Sequence, residues 1–132
     1  MKVLSLLEPW ASLIKENKKK IETRSWKTSY RGELYIHASQ KPISKTDPAI
    51  QKLLEYIPNV EMAYGQIICK CNLVDCIEMT PEWIEEVKKD KQEFACGEYA
   101  VGRYGWILEG IEVLTPSIPA KGHLQIWNYK AN

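Results

Sequence analysis

The sequence predicts an α+β protein, a small β-barrel of five to six strands with two to three flanking helices. Its 132 residues fit one hydrophobic core, so we expect a single domain over 1–132. Most apolar segments are short and end at turn residues, as strands do. A few segments show helical spacing instead. Closure into a barrel would leave few exposed strand edges.

The first two elements are a strand and a helix. The apolar run KVLSLL at 2–7 predicts the strand, and Pro9 then favours a helix start because proline is tolerated in the first turn. The following apolar residues recur at helical spacing; they are Trp10, Leu13 and Ile14. This pattern predicts an amphipathic helix from Pro9 to about Lys20, with lysines at its C-terminal end that complement the helix dipole.

Two strands follow. IETRSW at 21–26 alternates, with Glu22 and Arg24 on one side. After a turn at 29–32, ELYIHAS at 33–39 alternates clearly. Its apolar face carries Leu34, Ile36 and Ala38, and its polar and aromatic face carries Tyr35, His37 and Ser39.

The middle of the chain mixes helices with one long strand. Residues 40–60 look like a lid or insertion with a short helix over 49–57, which ends before Pro58. A long strand over 66–79 follows, and its length predicts that it bends or spans a barrel wall. Thr80 then fits the N-cap of another helix. After a charged stretch, three apolar pieces predict the last strands; they are 104–114, 116–122 and 123–129.

The charge balance excludes one class of function. The chain has eighteen basic and seventeen acidic residues, which gives a net charge of +1. It therefore lacks the strongly positive electrostatic field that is typical of proteins that bind duplex DNA. Any affinity for nucleic acid requires a local patch.

The N-terminal residues contain only short apolar runs, broken at Glu8 and Pro9. We therefore expect a cytoplasmic protein with no membrane partner.

The four cysteines predict buried free thiols. They are Cys69, Cys71, Cys76 and Cys96. Their spacing lacks the paired C-x2-C knuckles of zinc sites, and no histidine lies at the expected distance. Cys69 and Cys71 are two apart on a predicted strand and face the same side. We expect no metal and no cofactor.

The segment NKKKIETRSW at 17–26 brings an ammonium, a carboxylate and a guanidinium close together. Lys19, Glu22 and Arg24 at a helix end and a strand start would bind an anion, orient a base edge or transfer a proton. The alternative is a solvated surface cluster, because exposed ion pairs are common. Known nucleotide-binding, hydrolase and zinc-protease motifs are absent from the sequence.

Aromatic residues and one histidine add candidates for ligand contact. Trp106 and Trp127 lie in apolar strands and are assigned to packing, whereas Trp10 and Trp26 flank the charged cluster and suit base stacking. His37 suits a general base or a phosphate contact, with a satisfied structural histidine as the alternative. Exposed aromatics would also serve an accessory module that binds protein partners.

The run from 4 to 39, LSLLEPWASLIKENKKKIETRSWKTSYRGELYIHAS, resembles the N-terminal half of an ASCH domain, a family with a PUA-like β-barrel. The family signature is G-x-K-x-x-E-x-R, and Asn17, Lys19, Glu22 and Arg24 occupy its positions. Later blocks at 65–76, 99–110 and 118–129 also resemble the family. Asn17 replaces the signature glycine, but asparagine tolerates the left-handed conformation of a helix C-terminus.

The resemblance implies a cleft beside the first helix that binds RNA or a modified nucleoside. Lys19, Glu22 and Arg24 line it by position, and the face argument adds four ligand-binding candidates: Trp10, Trp26, His37 and Ser39. The alternative is a small hydrolase, with Glu22 as base and Lys19 stabilising charge. Some relatives hydrolyse N4-acetylcytidine with a lysine, a threonine and a glutamate, but Glu22 stands where we align the threonine. Other relatives are linked to RNA cleavage.

Overall fold

A computed structural model describes residues 1–131 and confirms the α+β class. The described residues form six strands and four helices: β1 Lys2–Leu6, α1 Trp10–Lys15, β2 Ile21–Arg24, β3 Gly32–Ala38, α2 Pro48–Leu54, β4 Gln66–Glu78, α3 Pro81–Lys88, α4 Lys91–Ala95, β5 Tyr104–Pro119 and β6 Ile126–Asn128. The prediction of two to three helices is therefore too low. The charged stretch after Thr80 folds as two short helices, capped by the side chains of Thr80 and Asp90.

The strands form one mixed sheet in the order β2-β5-β4-β3-β1-β6. Among the six strands of residues 1–131, only β1 and β3 pair in parallel, with Ser5 opposite His37, and the other pairs are antiparallel. Register shifts interrupt the β4–β5 ladder at several points, as expected for long strands that bend around a barrel wall. The predicted piece 116–122 is not a separate strand, because β5 continues to Pro119.

The sheet curls into a half-barrel of the PUA-like kind. Arg24 in β2 donates a hydrogen bond from Nη2 to the carbonyl of Ser5 in β1, at 3.1 Å, although three strands separate these two in the sheet. The concave side holds the main core, which includes Leu4, Leu34 and Trp106. An open seam between β2 and β1 remains at this edge of the barrel.

Helix α1 ends five residues earlier than predicted. Asn17 adopts a left-handed conformation, φ 61°, which confirms the role expected of it. The backbone N–H groups of Asn17 and Lys18 donate to the carbonyls of Ile14 and Leu13, at 3.0 and 2.8 Å, in a Schellman arrangement. This turn stops the helix and redirects the chain, so that Lys18 is exposed while Lys19 enters the interior.

The inserted segment between β3 and β4 packs against the barrel through α2. Leu53 and Ile57 form a buried cluster with Leu13 of α1 and with Cys96 at the end of α4. The Asp47 side chain caps α2 by accepting from the N–H of Ala49, at 2.9 Å. The observed helix, Pro48–Leu54, is thus shorter than the one predicted over 49–57 and begins one residue earlier. The segment forms one side of the cleft described below.

Two further expectations concern burial. Cys69, Cys71 and Cys96 are buried free thiols as predicted, and Cys76 is partly exposed. Trp106 and Trp127 are buried, which confirms their assignment to packing. None of the helices formed by residues 1–131 is long and apolar enough to cross a bilayer.

Candidate functional site

A cleft of about 1000 Å³ opens at the seam of the half-barrel. Its walls come from the ends of β1 and β3, from β2, from α2 and from the loop after β5. All seven residues proposed from the sequence border it: Trp10, Lys19, Glu22, Arg24, Trp26, His37 and Ser39. The curl of the sheet therefore brings residues from three separate segments of the chain, at 10, 19–26 and 37–39, to one concave surface.

Lys19 borders the cleft without any exposed surface. Its Nζ donates to the carbonyl of Ile21 at 2.6 Å and to that of Cys96 at 2.8 Å, and it lies 3.6 Å from Glu22 Oε1. Removing an ammonium from water costs several kcal/mol unless it is paired and hydrogen-bonded, as here. Because two carbonyls and the Glu22 carboxylate surround its ammonium, Lys19 has no exposed surface of its own to offer a ligand.

Glu93 on α4 fixes the backbone around Lys19. Its carboxylate is buried and accepts from the N–H groups of Lys20 and Ile21, at 2.7 and 3.1 Å. Burial raises the pKa of Glu93, and these two hydrogen bonds oppose the rise. Helix α4 thus holds the entry to β2 through Glu93 and holds the ammonium of Lys19 through the carbonyl of Cys96.

Glu22 lies between two cations. Its Oε2 is 3.0 Å from Nε of Arg24, and its Oε1 faces Lys19. The Nε–H of Arg24 is not aligned with the carboxylate, so this buried atom has no hydrogen-bond partner within residues 1–131. The Arg24 side chain is 25% exposed. It is therefore the more exposed of the two signature cations that border the cleft.

His37 is buried in a hydrogen-bonded chain that supports the cleft wall. Nε2 donates to the carbonyl of Ala120 at 2.8 Å, and Nδ1 accepts from the hydroxyl of Ser5 at 2.9 Å. Trp127 Nε1 donates to the same hydroxyl at 3.0 Å, which leaves the Ser5 proton for His37. Burial lowers the pKa of His37, in keeping with a neutral ring. Both ring nitrogens are occupied, as in the structural alternative.

The two candidate stacking residues are both partly exposed at the cleft. Trp10 packs against the core and against the α2 cluster, and its remaining surface borders the cleft. Trp26 meets Trp106 edge to face, with ring centroids 4.8 Å apart. Trp106 also donates from Nε1 to the carbonyl of Trp26, at 3.3 Å. These contacts hold Trp26 in place beside the charged residues.

Sequence reasoning missed the basic residues Arg103 and Lys121 on the cleft wall. With Lys19 and Arg24 they give four basic side chains, against two acidic ones, Glu22 and Glu98. The cleft is therefore locally basic in a chain whose net charge is only +1. Lys121 stands in the polar run KGH between two strand-like pieces, the only signal that could have marked it.

The described part of the chain was also searched for side chains that could hold a metal ion. Within residues 1–131 no group of three histidine, cysteine or acidic side chains is arranged to hold an ion. The polar side chains of the cleft instead combine two carboxylates with four cations, a set suited to an anionic ligand that also carries hydrogen-bond donors.

Comparison with known proteins identifies the family. A model described as the ASCH domain matches residues 4–116. The chain is similar to Activating signal cointegrator 1 of Homo sapiens, 26% identical over 132 residues that cover 94% of this chain and 21% of that protein. The Mus musculus protein of the same name is 29% identical, with the same coverage. The chain thus spans about a fifth of the length of these curated relatives. Because the family model matches most of its length, the chain belongs to the ASCH domain family.

Proposed function

We propose that the cleft binds single-stranded RNA or a nucleotide. The observation that carries this proposal is the meeting of partly exposed tryptophans with an accessible arginine in one locally basic cleft. Aromatic stacking on a base contributes roughly 1–3 kcal/mol and needs an unpaired base. Arg24 supplies a charge-assisted contact to phosphate or to a base edge. Membership of the ASCH family, which is linked to RNA binding, supports the same assignment.

Each residue has a separate role in this proposal. Trp10 and Trp26 stack on bases, and the carboxylate of Glu22 accepts from donors on a base edge. The buried Lys19 is a positioning residue, since its ammonium contacts Glu22 and two carbonyls. His37 holds the wall at Ala120, and the hydroxyl of Ser39 offers a further polar contact at the rim.

The alternative is hydrolysis of a modified nucleoside or of RNA, with Glu22 as the base and Lys19 stabilising the developing charge. The position of the Glu22 carboxylate beside the cleft favours it. The burial of Lys19 weighs against it, because a group with no exposed surface cannot contact the reacting atoms directly. We therefore favour binding.

Fluorescence anisotropy with a labelled single-stranded RNA at several low salt concentrations tests the proposal. Arg24→Ala should weaken binding and reduce the slope of log K against log salt by about 0.7 to 1 for each lost phosphate contact. Arg31→Ala is the matched control, because Arg31 is exposed and lies outside the cleft. Absence of RNA binding by the wild type at low salt would refute the proposal.

A second assay tests the hydrolytic alternative. N4-acetylcytidine and single-stranded RNA are incubated with the wild type, with Glu22→Gln and with Arg31→Ala, and the products are separated by chromatography. The binding proposal predicts no turnover by any of the three. Turnover by the wild type and by Arg31→Ala, lost in Glu22→Gln, would establish the hydrolase instead.

A further inference from the structure

The loop between β5 and β6, residues 120–125, forms a wall of the cleft to which the proposed function assigns no ligand contact. Five of its residues border the cleft: Lys121, Gly122, His123, Leu124 and Gln125. The loop carries one cation and one large apolar side chain. Both are exposed to solvent.

The base of this loop is firmly attached to the barrel. The N–H of Ala120 donates to the carbonyl of Gly65 at 3.0 Å, and the carbonyl of Ala120 accepts from His37. Gly122 lies so close to the β1–β3 surface that an added Cβ would be 2.8 Å from His37 Cε1. The His123 ring packs edge to face on Trp127, with centroids 5.0 Å apart. The loop is thus attached to the barrel at Ala120, at Gly122 and at His123.

Leu124 is 91% exposed, the highest value among the exposed large apolar residues within 1–131. Full burial of a leucine side chain stabilises a protein or a complex by roughly 1.5–3 kcal/mol. In the free protein Leu124 does not make this contribution, because it is exposed at the cleft rim. Nearby Lys121 adds a positive charge to the same loop. An apolar surface next to a cation matches the base and the phosphate of a nucleotide.

The size of the cleft also favours a ligand longer than one nucleoside. Pockets for single small ligands span about 300–1,000 Å³. This cleft lies at the upper end of that range, at about 1000 Å³. Its stacking and charged groups are spread over α1, β2 and the 120–125 loop. A single nucleoside that stacks on one tryptophan would leave the loop uncovered.

We propose that the ligand is a single-stranded RNA rather than a free nucleoside, and that the 120–125 loop holds the nucleotide next to the one in the cleft. Leu124 packs against a base, and Lys121 contacts a phosphate. This inference rests on the proposed function and names its ligand class. The apolar side chain provides affinity without sequence preference, since every base offers a flat face.

Binding of two probes tests the inference: a single-stranded RNA of about ten nucleotides, which matches common site sizes, and cytidine monophosphate. Leu124→Ser should weaken binding of the longer RNA roughly tenfold and leave that of the mononucleotide unchanged. Lys121→Ala should also lower the salt dependence for the longer RNA. Val101→Ser is the matched control, because Val101 is 66% exposed and lies outside the cleft.

The outcomes separate this inference from the proposed function. If the wild type binds both probes and Leu124→Ser affects neither or both equally, the inference is overturned and RNA or nucleotide binding stands. If the wild type binds neither probe at low salt, both proposals fail. Equal thermal unfolding of the two serine variants checks that each remains folded.

Discussion

Arg24 Nη2 lies 3.1 Å from the carbonyl oxygen of Ser5 and donates a hydrogen bond to it. The bond joins β2, at one edge of the sheet, to β1, which lies fifth in the order, and it crosses the seam where the cleft opens. The carboxylate of Glu22 forms an ion pair with the same guanidinium, 3.0 Å from its Nε. For the proposed ligand, this means that an anion would meet an arginine that is already oriented, so that less conformational entropy would be lost on binding.

Replacing Lys19 with methionine should destabilise the protein. The change removes one partner of a buried ion pair and leaves the carbonyls of Ile21 and Cys96 without their donor. We expect the free energy of unfolding in urea to fall by roughly 3 kcal/mol. Lys18→Met is the matched control, since Lys18 is exposed, and it should stay within about 0.5 kcal/mol of the wild type. Equal effects of the two changes would contradict the structural role of Lys19.

Asn17 should tolerate glycine better than alanine. Its φ of 61° lies in the left-handed region, which glycine adopts freely and alanine does not. We expect Asn17→Ala to lower the free energy of unfolding by about 1 kcal/mol and Asn17→Gly to leave it nearly unchanged. Chemical denaturation of the two variants measures this difference. A glycine variant less stable than the alanine variant would show that the turn does not depend on this conformation.

His37 should make stability depend on pH. The pKa of His37 in the folded protein is lowered from the usual 6.5. Between this lowered pKa and 6.5, the unfolded chain therefore binds the proton more tightly than the folded protein does. The contribution of the neutral His37 ring to the free energy of unfolding is therefore fully present above about pH 6.5. It is lost as the pH falls toward the pKa of His37 in the folded protein. Urea unfolding at pH 5 to 7.5 measures the slope, which should be shallower in His37→Asn than in the wild type.

His123→Gln serves as the control for that experiment, because His123 is exposed and lies on the same loop. It should keep most of the pH slope of the wild type, since burial lowers the pKa of His37 more than the nearby charge of His123 does. An equal loss of slope in both variants would show that the buried His37 is not the group responsible.

The four cysteines should differ in reactivity. Burial raises the pKa of Cys71 to about 12 and that of Cys96 to about 11, and it raises the pKa of Cys69 further still. Only Cys76 is partly exposed. With iodoacetamide at pH 8 we expect one adduct by intact mass in the native protein, on Cys76, and four in urea. Several native adducts forming at the same rate would contradict this burial pattern.

The strand faces could be predicted because they depend on local alternation. Glu22 and Arg24 share a side of β2, and Leu34, Ile36 and Ala38 enter the core, as the period of two requires. The end of α1 was less predictable. Lysines continue the helical composition past residue 15, while the left-handed turn at Asn17 stops the helix.

Long-range contacts explain what sequence reasoning missed at the site. The buried ammonium of Lys19 donates to the carbonyl of Cys96, a residue 77 positions later. The sequence around Lys19 therefore contains nothing that predicts its burial. The loop at 120–125 reaches the cleft because the carbonyl of Ala120 accepts a hydrogen bond from His37, which lies 83 positions earlier in the chain. Both contacts result from the curl of the sheet and the packing of α4 on it, which periodicity in the sequence does not specify.

The indole N–H signals of the five tryptophans in an NMR titration with single-stranded RNA test the central claim most directly. Trp10 and Trp26 border the cleft, whereas Trp83 on α3 lies outside it. We predict that the Trp10 and Trp26 signals shift in proportion to bound RNA while that of Trp83 stays in place. Shifts confined to Trp83, or binding that moves neither Trp10 nor Trp26, would contradict RNA binding in this cleft.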